Sequence, residues 1–306
     1  MDKASWVEVS FQIPSEQVEA VAEVLGRFTQ GGVAIEQIVE ENNQTSAESR
    51  NNYVHVFGYF FSDKTFEEKK KHLEESLFYL SKIQPIPAPE YKLIYDQDWM
   101  TSWKNHYHPL TVGKKLAILP AWAENVFPDR IPIRINPGLA FGSGTHPTTQ
   151  LCLEIMERVV PDKQQIFDIG CGSGILSIAA VKLGAAHAYG VDISPAAIAS
   201  SKENAQKNRI LEKVDFQQGS ITEISNGCFE ILQAPLVIVN ILFSVILRLF
   251  DDGLADLVEA DGLLILSGIL TPQVAKITAK AQSCGFKLSE KFEIEDWAAL
   301  SLIKCF

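Results

Sequence analysis

From Trp6 to Ile13 polar and apolar residues alternate, with Val7, Val9, Phe11 and Ile13 on one side and Glu8, Ser10 and Gln12 on the other. A period of two is that of a half-buried strand. After Pro14 the period lengthens: Ser15 is placed to cap a helix whose Val18, Val21, Ala22, Leu25 and Phe28 share a face, and Gly31-Gly32 can end it. Val33 to Val39 predicts a second strand, Glu40 to Asn52 a polar loop, and Tyr53 to Phe61 an aromatic and β-branched third strand. A helix near Thr65 to Leu80 and a short strand near Tyr91 to Tyr95 follow. The order β-α-β-β-α-β predicts a small ferredoxin-like sheet with two helices on one face.

The stretch IQPIPAPEY, with Pro85, Pro87 and Pro89, is a stiff extended connection. Beyond it, DQDWMTSWKNHYHP predicts a short helix begun by Asp98 and stopped by Pro109, with Trp99 and Trp103 on one face. From about Lys163 apolar strands alternate with helical segments. The strands are expected at Ile166 to Ile169, Ala188 to Val191, Val214 to Gln217, Leu236 to Val239 and Leu263 to Leu266, with helices centred near Ala180, Ala199, Leu247 and Ala279. This is the pattern of an α/β doubly wound, largely parallel sheet. The expected organisation is therefore a domain at 1–95, a linker helix at 96–109 and an α/β domain at 110–306.

A length of 306 residues suits two domains. With 46% hydrophobic and 21% charged residues, and no apolar run near the ~20 residues of a membrane span, a soluble protein is expected. The start, MDKASWVEV, carries no secretory leader pattern, which makes the cytoplasm the expected compartment. Five scattered cysteines, never spaced C-x-x-C, argue against a disulfide framework and against a zinc site, and no metal is expected. The net charge of −11 disfavours direct binding to a nucleic-acid backbone. Residues 1–84 hold 8 Lys+Arg against 14 Asp+Glu, a balance of −6. The first domain suits a basic ligand and shows no catalytic constellation, so binding is its expected task.

Chemistry in a doubly wound sheet gathers where the strands end. The first end reads FDIGCGSGIL: Asp168, Gly170, Gly172 and Gly174 form D-x-G-x-G-x-G, and Ile175 stands where the dinucleotide fingerprint needs its third glycine. That disfavours a nicotinamide cofactor. Asp192, in GVDIS, lies 22 residues beyond Gly170, where a carboxylate can accept hydrogen bonds from both ribose hydroxyls of an adenosine ligand. Together these fit S-adenosylmethionine, which has adenosine without pyrophosphate. The fourth strand ends in VIVNILF, where Asn240 and a neighbouring carbonyl can orient an amine lone pair. Enzymes that methylate adenine typically carry Asn-Pro-Pro-Tyr there, and this chain has Asn240-Ile241-Leu242-Phe243. The loop NPGLAFGSGTHPTT, residues 136–149, precedes the helix that leads into the first strand and could fold over the donor pocket as a glycine-hinged lid.

That loop, DWMTSWKNHYHP, FDIGCGSGILSIAAVKLGAAHAYGVDISP, VNIL, LSGIL and EDWAALSLIK together resemble the PrmA methyltransferases, which modify amino groups of ribosomal protein L11. The resemblance covers almost the whole chain. It implies a class I, Rossmann-like methyltransferase with S-adenosylmethionine as donor, an N-terminal domain that holds L11, and donor contacts at Thr149, Gly170, Asp192 and Asn240. Thr148, Asp168, Gly172 and Gly174 join the expected donor site. Phe141 and His146 join Asn240 as expected catalytic residues, lining the methionine end or the acceptor channel. Departures are small: Asn136 replaces a usual acidic residue, Ser143 a usual threonine and Val239 a usual alanine.

The expected reaction is methyl transfer to lysine or N-terminal amines of L11. His146 is a candidate proton acceptor and Phe141 with Phe243 a candidate aromatic wall. Cys171 has no paired base and is expected to pack as a small buried residue. A methyltransferase for another protein lysine or a small amine, and a donor-binding ribosome-assembly factor without activity, stand as alternatives.

Overall fold

The computed structural model describes residues 5–29, 33–37, 53–82, 85–95, 109–136, 142 and 144–305. The chain divides into two compact units, Met1–Tyr107 and His108–Phe306.

The first unit runs β1 (Ser5–Pro14), α1 (Val18–Gly26), β2 (Val33–Gln37), β3 (Tyr53–Phe61), α2 (Phe66–Ser81) and β4 (Glu90–Tyr95). Its sheet has the order β2-β3-β1-β4 and is antiparallel throughout. The alternation of β1 decides which face is covered: Val7, Val9, Phe11 and Ile13 pack with Val54, Val56 and Phe60 against Val21 and Leu25 of α1 and Leu73 and Leu77 of α2. The N-cap position of α1 falls at Gln17, two residues beyond Ser15. Residues Ser15–Gln17 form a single 3-10 turn, and α1 starts at Val18 with no side-chain cap. Gln17, at the N-cap position, turns its buried side chain inward and donates from Nε2 to the Pro85 carbonyl at 3.2 Å. Gly31-Gly32, the polar loop at Glu40 to Asn52 and the expected helix with Trp99 and Trp103 lie outside the described residues.

The second unit opens with a sheet that was not foreseen, β5 (Leu110–Val112), β6 (Leu116–Pro120) and β7 (Ile131–Ile135). Strands of three to five residues are too short to show a period. Next come α3 (Pro147–Val159), β8 (Gln165–Ile169), α4 (Ile175–Leu183), β9 (His187–Asp192), α5 (Pro195–Lys207) and β10 (Val214–Gln218). They are followed by α6 (Ile221–Ser225), β11 (Ala234–Asn240), α7 (Phe243–Asp251), β12 (Val258–Leu270), α8 (Val274–Ser283), β13 (Phe286–Ile294) and β14 (Trp297–Lys304). The large sheet has the order β10-β9-β8-β11-β12-β14-β13, parallel as far as β12 and closed by an antiparallel hairpin.

One core lies under α3, α4 and α5, centred on Leu151, Ile155, Ile178 and Ile198, and the other under α7 and α8, with Ile246, Leu249 and Ile277. Strand order reverses at β8, which has β9 on one side and β11 on the other. A crevice opens at such a switch point, and here the ends of β8, β9 and β11 line it.

Glu157 of α3 ties the small sheet to the large one. Its carboxylate accepts the backbone N–H groups of Lys114 at 2.8 Å, Lys115 at 2.7 Å and Leu116 at 3.0 Å. Arg130 Nη1 donates to the Val112, Gly113 and Leu116 carbonyls on the same turn. Replacing Glu157 with Ala is expected to cost about 1–3 kcal/mol, because charge-assisted hydrogen bonds are lost and three amides need new partners. Urea denaturation of the two proteins would measure it, and an unchanged midpoint would show that the clamp is idle.

Candidate active site at the strand ends

The turn after β8 is built on glycine. Gly170, Gly172 and Gly174 take φ values of +75°, +53° and +78°, in the left-handed region that a Cβ disfavours. Space closes the argument at two of them: the Ile241 side chain fills the place of a Cβ on Gly170, and a Cβ on Gly174 would stand 2.9 Å from that of Ser201. The turn is stitched to β9 by Gly170 N–H and Cys171 N–H, both donating to the Val191 carbonyl, at 2.8 and 3.0 Å. Gly174 then opens α4.

Asp192, half-buried at the end of β9, accepts Gly172 N–H at Oδ2 (3.0 Å) and Ser194 N–H at Oδ1 (2.9 Å). A carboxylate offers about four lone-pair sites, so about two remain for a ligand. Asp168 lies beneath the turn, fully buried. Its Oδ2 accepts Ser177 N–H at 3.0 Å and Ser177 Oγ–H at 2.7 Å, while its Oδ1 is buried with no hydrogen-bond partner among the described residues. Burial raises its pKa from 3.8 to about 6 against the pull of the Ser177 bonds. Its place is under the cradle, holding the first turn of α4.

Asn240 ends β11, and its Nδ2 donates to Thr149 Oγ1 at 3.4 Å. Thr149 and Thr148 are buried in the first turn of α3. His146 is the N-cap of that helix: its Nδ1 accepts Thr148 N–H at 3.3 Å and lies 2.7 Å from Thr148 Oγ1, and its ring meets Trp297 edge-on at 4.8 Å. Burial lowers its pKa to about 4. An imidazole with a lowered pKa and its Nδ1 engaged in the cap is a weaker base than a free one. Burial also pushes the Cys171 thiol well up, and it stays protonated. Phe141 lies outside the described residues, as do 137–140 and 143 of the segment expected to be a lid. Phe243 is partly buried at the start of α7.

Sequence reasoning missed the supports. Asn204 of α5, fully buried, donates to the Ser173 carbonyl at 2.9 Å and accepts Asn136 N–H at 2.8 Å. Ser173 Oγ donates to the Gly142 carbonyl at 2.6 Å. Asn204 and Asn208, one turn apart with Asn208 bonded to both sides of the Arg134 backbone, were a readable signal in an otherwise small or charged helix.

The reversed strand order, the glycine turn over an acidic β9 end and the antiparallel closing hairpin define a class I methyltransferase. A family described as ribosomal protein L11 methyltransferase (PrmA) matches residues 5–304. The ribosomal protein L11 methyltransferase of Chloroflexus aurantiacus is 33% identical, over 98% of this chain and 98% of its own length, and that of Bacillus cytotoxicus is 32% identical over 96% and 98%. A solved ribosomal protein L11 methylase from Lactobacillus delbrueckii subsp. bulgaricus is 35% identical and superposes with a TM-score of 0.59, covering 65% of this chain and 100% of that one. The chain belongs to the ribosomal protein L11 methyltransferase family.

The buried Asp168 predicts a pH effect. Its folded-state pKa, about 6, is above the ordinary 3.8, so the stability gained from its proton is complete below about pH 3.8 and is lost as pH rises to about 6. The loss amounts to about 3 kcal/mol. Asp168→Asn is therefore expected to be more stable than the parent at pH 7 and no more stable at pH 4. Urea midpoints at both pH values would check this, and equal differences at the two would contradict it.

Proposed function

We propose that this chain transfers methyl groups from S-adenosylmethionine to amino groups of ribosomal protein L11, at lysine side chains or the N-terminal amine. The observation that carries the reading is the convergence of the Gly170 to Gly174 turn, Asp192 and the Asn240–Thr149 pair at the strand ends of a member of this family. The residues present fit the donor. The turn presents backbone without side chains at its glycines, and Asp192 keeps acceptor sites for two ribose hydroxyls. Ile175, in place of a third glycine, follows a cradle with no pyrophosphate to hold. Bound there, the donor supplies an electrophilic methyl on a sulfonium.

What the protein must supply is a neutral, aligned amine. A lysine of pKa ~10.4 is neutral in about one molecule in 2,500 at pH 7, and an α-amine near 8 about a tenth of the time. Desolvation in the crevice lowers both values. Asn240 Oδ1 makes no hydrogen bond among the described residues and can accept one from the amine, leaving its lone pair aimed along the line of transfer. Thr149 fixes the amide that does this. No side chain need act as base, and His146 serves by capping α3 so that Thr149 stays in place.

The first unit, with its −6 balance over residues 1–84, suits recognition of a basic ribosomal protein. Among the described residues no helix is long and apolar enough to cross a membrane. We place the activity in the cytoplasm, where the substrate is made.

Incubating the protein with S-adenosylmethionine and unmodified L11 and reading intact mass and fragments tests this directly. Methyl additions at specific amines are expected, with Asp192→Ala losing donor affinity and Asn240→Ala losing about 10²-fold in kcat at similar donor affinity. Donor binding with no added mass would rule out L11 as the acceptor.

A further inference from the structure

The motif Leu-Ser-Gly-Ile-Leu, residues 266–270, carries part of the family resemblance without a task of its own. The geometry points to one: the Ser267-Gly268 bulge is a positioning element that aims Asn240 at the acceptor amine. The inference rests on the reading of Asn240 given above.

β12 and β14 lose register between Leu266, which pairs with Leu300, and Ile269, which pairs with Ala298, so β12 carries one extra residue there. A bulge of this kind bends its strand and redirects the neighbouring side chains. Gly268 sits at φ +82°, and the carbonyl oxygen of Ile241 occupies the place a Cβ would take; the Ile241 carbonyl carbon and amide nitrogen stand 2.8 and 3.2 Å from that point. On its other side the Ile241 side chain fills the place of a Cβ on Gly170. Ile241 is thus seated between two glycines, one from β12 and one from the donor turn. That fixes the peptide immediately after Asn240, and the parallel pairing of Asn240 with Ser267 sets the bulge beside it.

Ser267 acts on the other partner of Asn240. Its buried Oγ stands 3.2 Å from the Thr148 carbonyl and 3.3 Å from the Ala298 carbonyl, sharing one proton between the first turn of α3 and β14. The next residue along that turn is Thr149, whose hydroxyl receives Asn240 Nδ2. One dipeptide therefore holds both the backbone that carries the Asn240 amide and the helix turn that orients it. A displacement of about 1 Å at a reacting centre can cost 10²-fold in rate, which is the scale expected here.

The test compares Gly268→Ala, Ser267→Ala, Asn240→Ala and the Asn240→Ala/Gly268→Ala double variant, reading kcat on L11, the Kd of S-adenosylhomocysteine and the melting temperature. Gly268→Ala is expected to lower kcat about 10²-fold and Ser267→Ala about tenfold, with the Kd moved less than about threefold. On the Asn240→Ala background, Gly268→Ala is expected to cost no more than about threefold further, because the group it misplaces is already gone. Full additivity in the double variant, a folded Gly268→Ala with near-parental kcat, or a loss of kcat matched by loss of S-adenosylhomocysteine binding would each overturn the inference. If Gly268→Ala does not fold, Ser267→Ala decides alone: lower kcat at unchanged Kd supports it and unchanged kcat overturns it. Parental activity in Asn240→Ala would instead sink the reading of the site itself.

Discussion

The turn from β8 into α4 bends through positive φ at Gly170, Gly172 and Gly174, and an L-residue in that conformation costs roughly 1–2 kcal/mol at each position. What makes the turn decisive is its surroundings. Gly170 admits Ile241 from the end of β11, Gly174 admits Ser201 from α5, and the amide of Gly172 is received by Asp192 from the end of β9. Three strands that meet only through the sheet are therefore joined a second time at their ends, through one short loop. A side chain at Gly170 or Gly174 would separate the turn from Ile241, the residue after Asn240, or from α5.

Around that turn the buried polar groups form a nearly closed set. Asn204 satisfies Ser173 and Asn136, Ser267 reaches Thr148 and Ala298, and Asn240 reaches Thr149. A fully paired network in a low-dielectric interior is stiff, because any shift leaves a donor or acceptor orphaned at a cost of about 1–3 kcal/mol. Among the described residues the open acceptors are Asn240 Oδ1 and the buried Asp168 Oδ1, and burial raises the Asp168 pKa to about 6. The stiffness suits an in-line transfer, which depends on alignment.

Where an element is long and one face is wet, its residues announce it. β1 alternates, β3 shows itself by its aromatic and β-branched residues, and the helices near Ala180, Ala199, Leu247 and Ala279 all form at α4, α5, α7 and α8. β5 to β7 are too short for a period, and β14 is slotted between β12 and β13, so WAALSLIK reads as an apolar run without alternation. The site divides the same way. Asp168, Gly170, Gly172, Gly174, Asp192 and Asn240 lie at strand ends that pattern and chain order can locate. Ser173, Asn204, Ser267 and Gly268 are small, common residues whose importance comes from what the fold brings against them, and the cap that His146 makes at α3 comes from the fold as well.

The charge of the molecule and the charge of the site pull in opposite directions. An acidic first unit favours the approach of a basic protein, yet negative charge next to the target amine would favour its ammonium form, which cannot attack. The groups around Asn240 and Thr149 carry little charge: burial lowers the His146 pKa to about 4 and raises those of the Cys152 and Cys171 thiols. Asp192 and Asp168 belong to the donor turn, one at its rim and one buried beneath it. Asn240 and Thr149 offer dipoles, which can orient an amine without stabilising its proton.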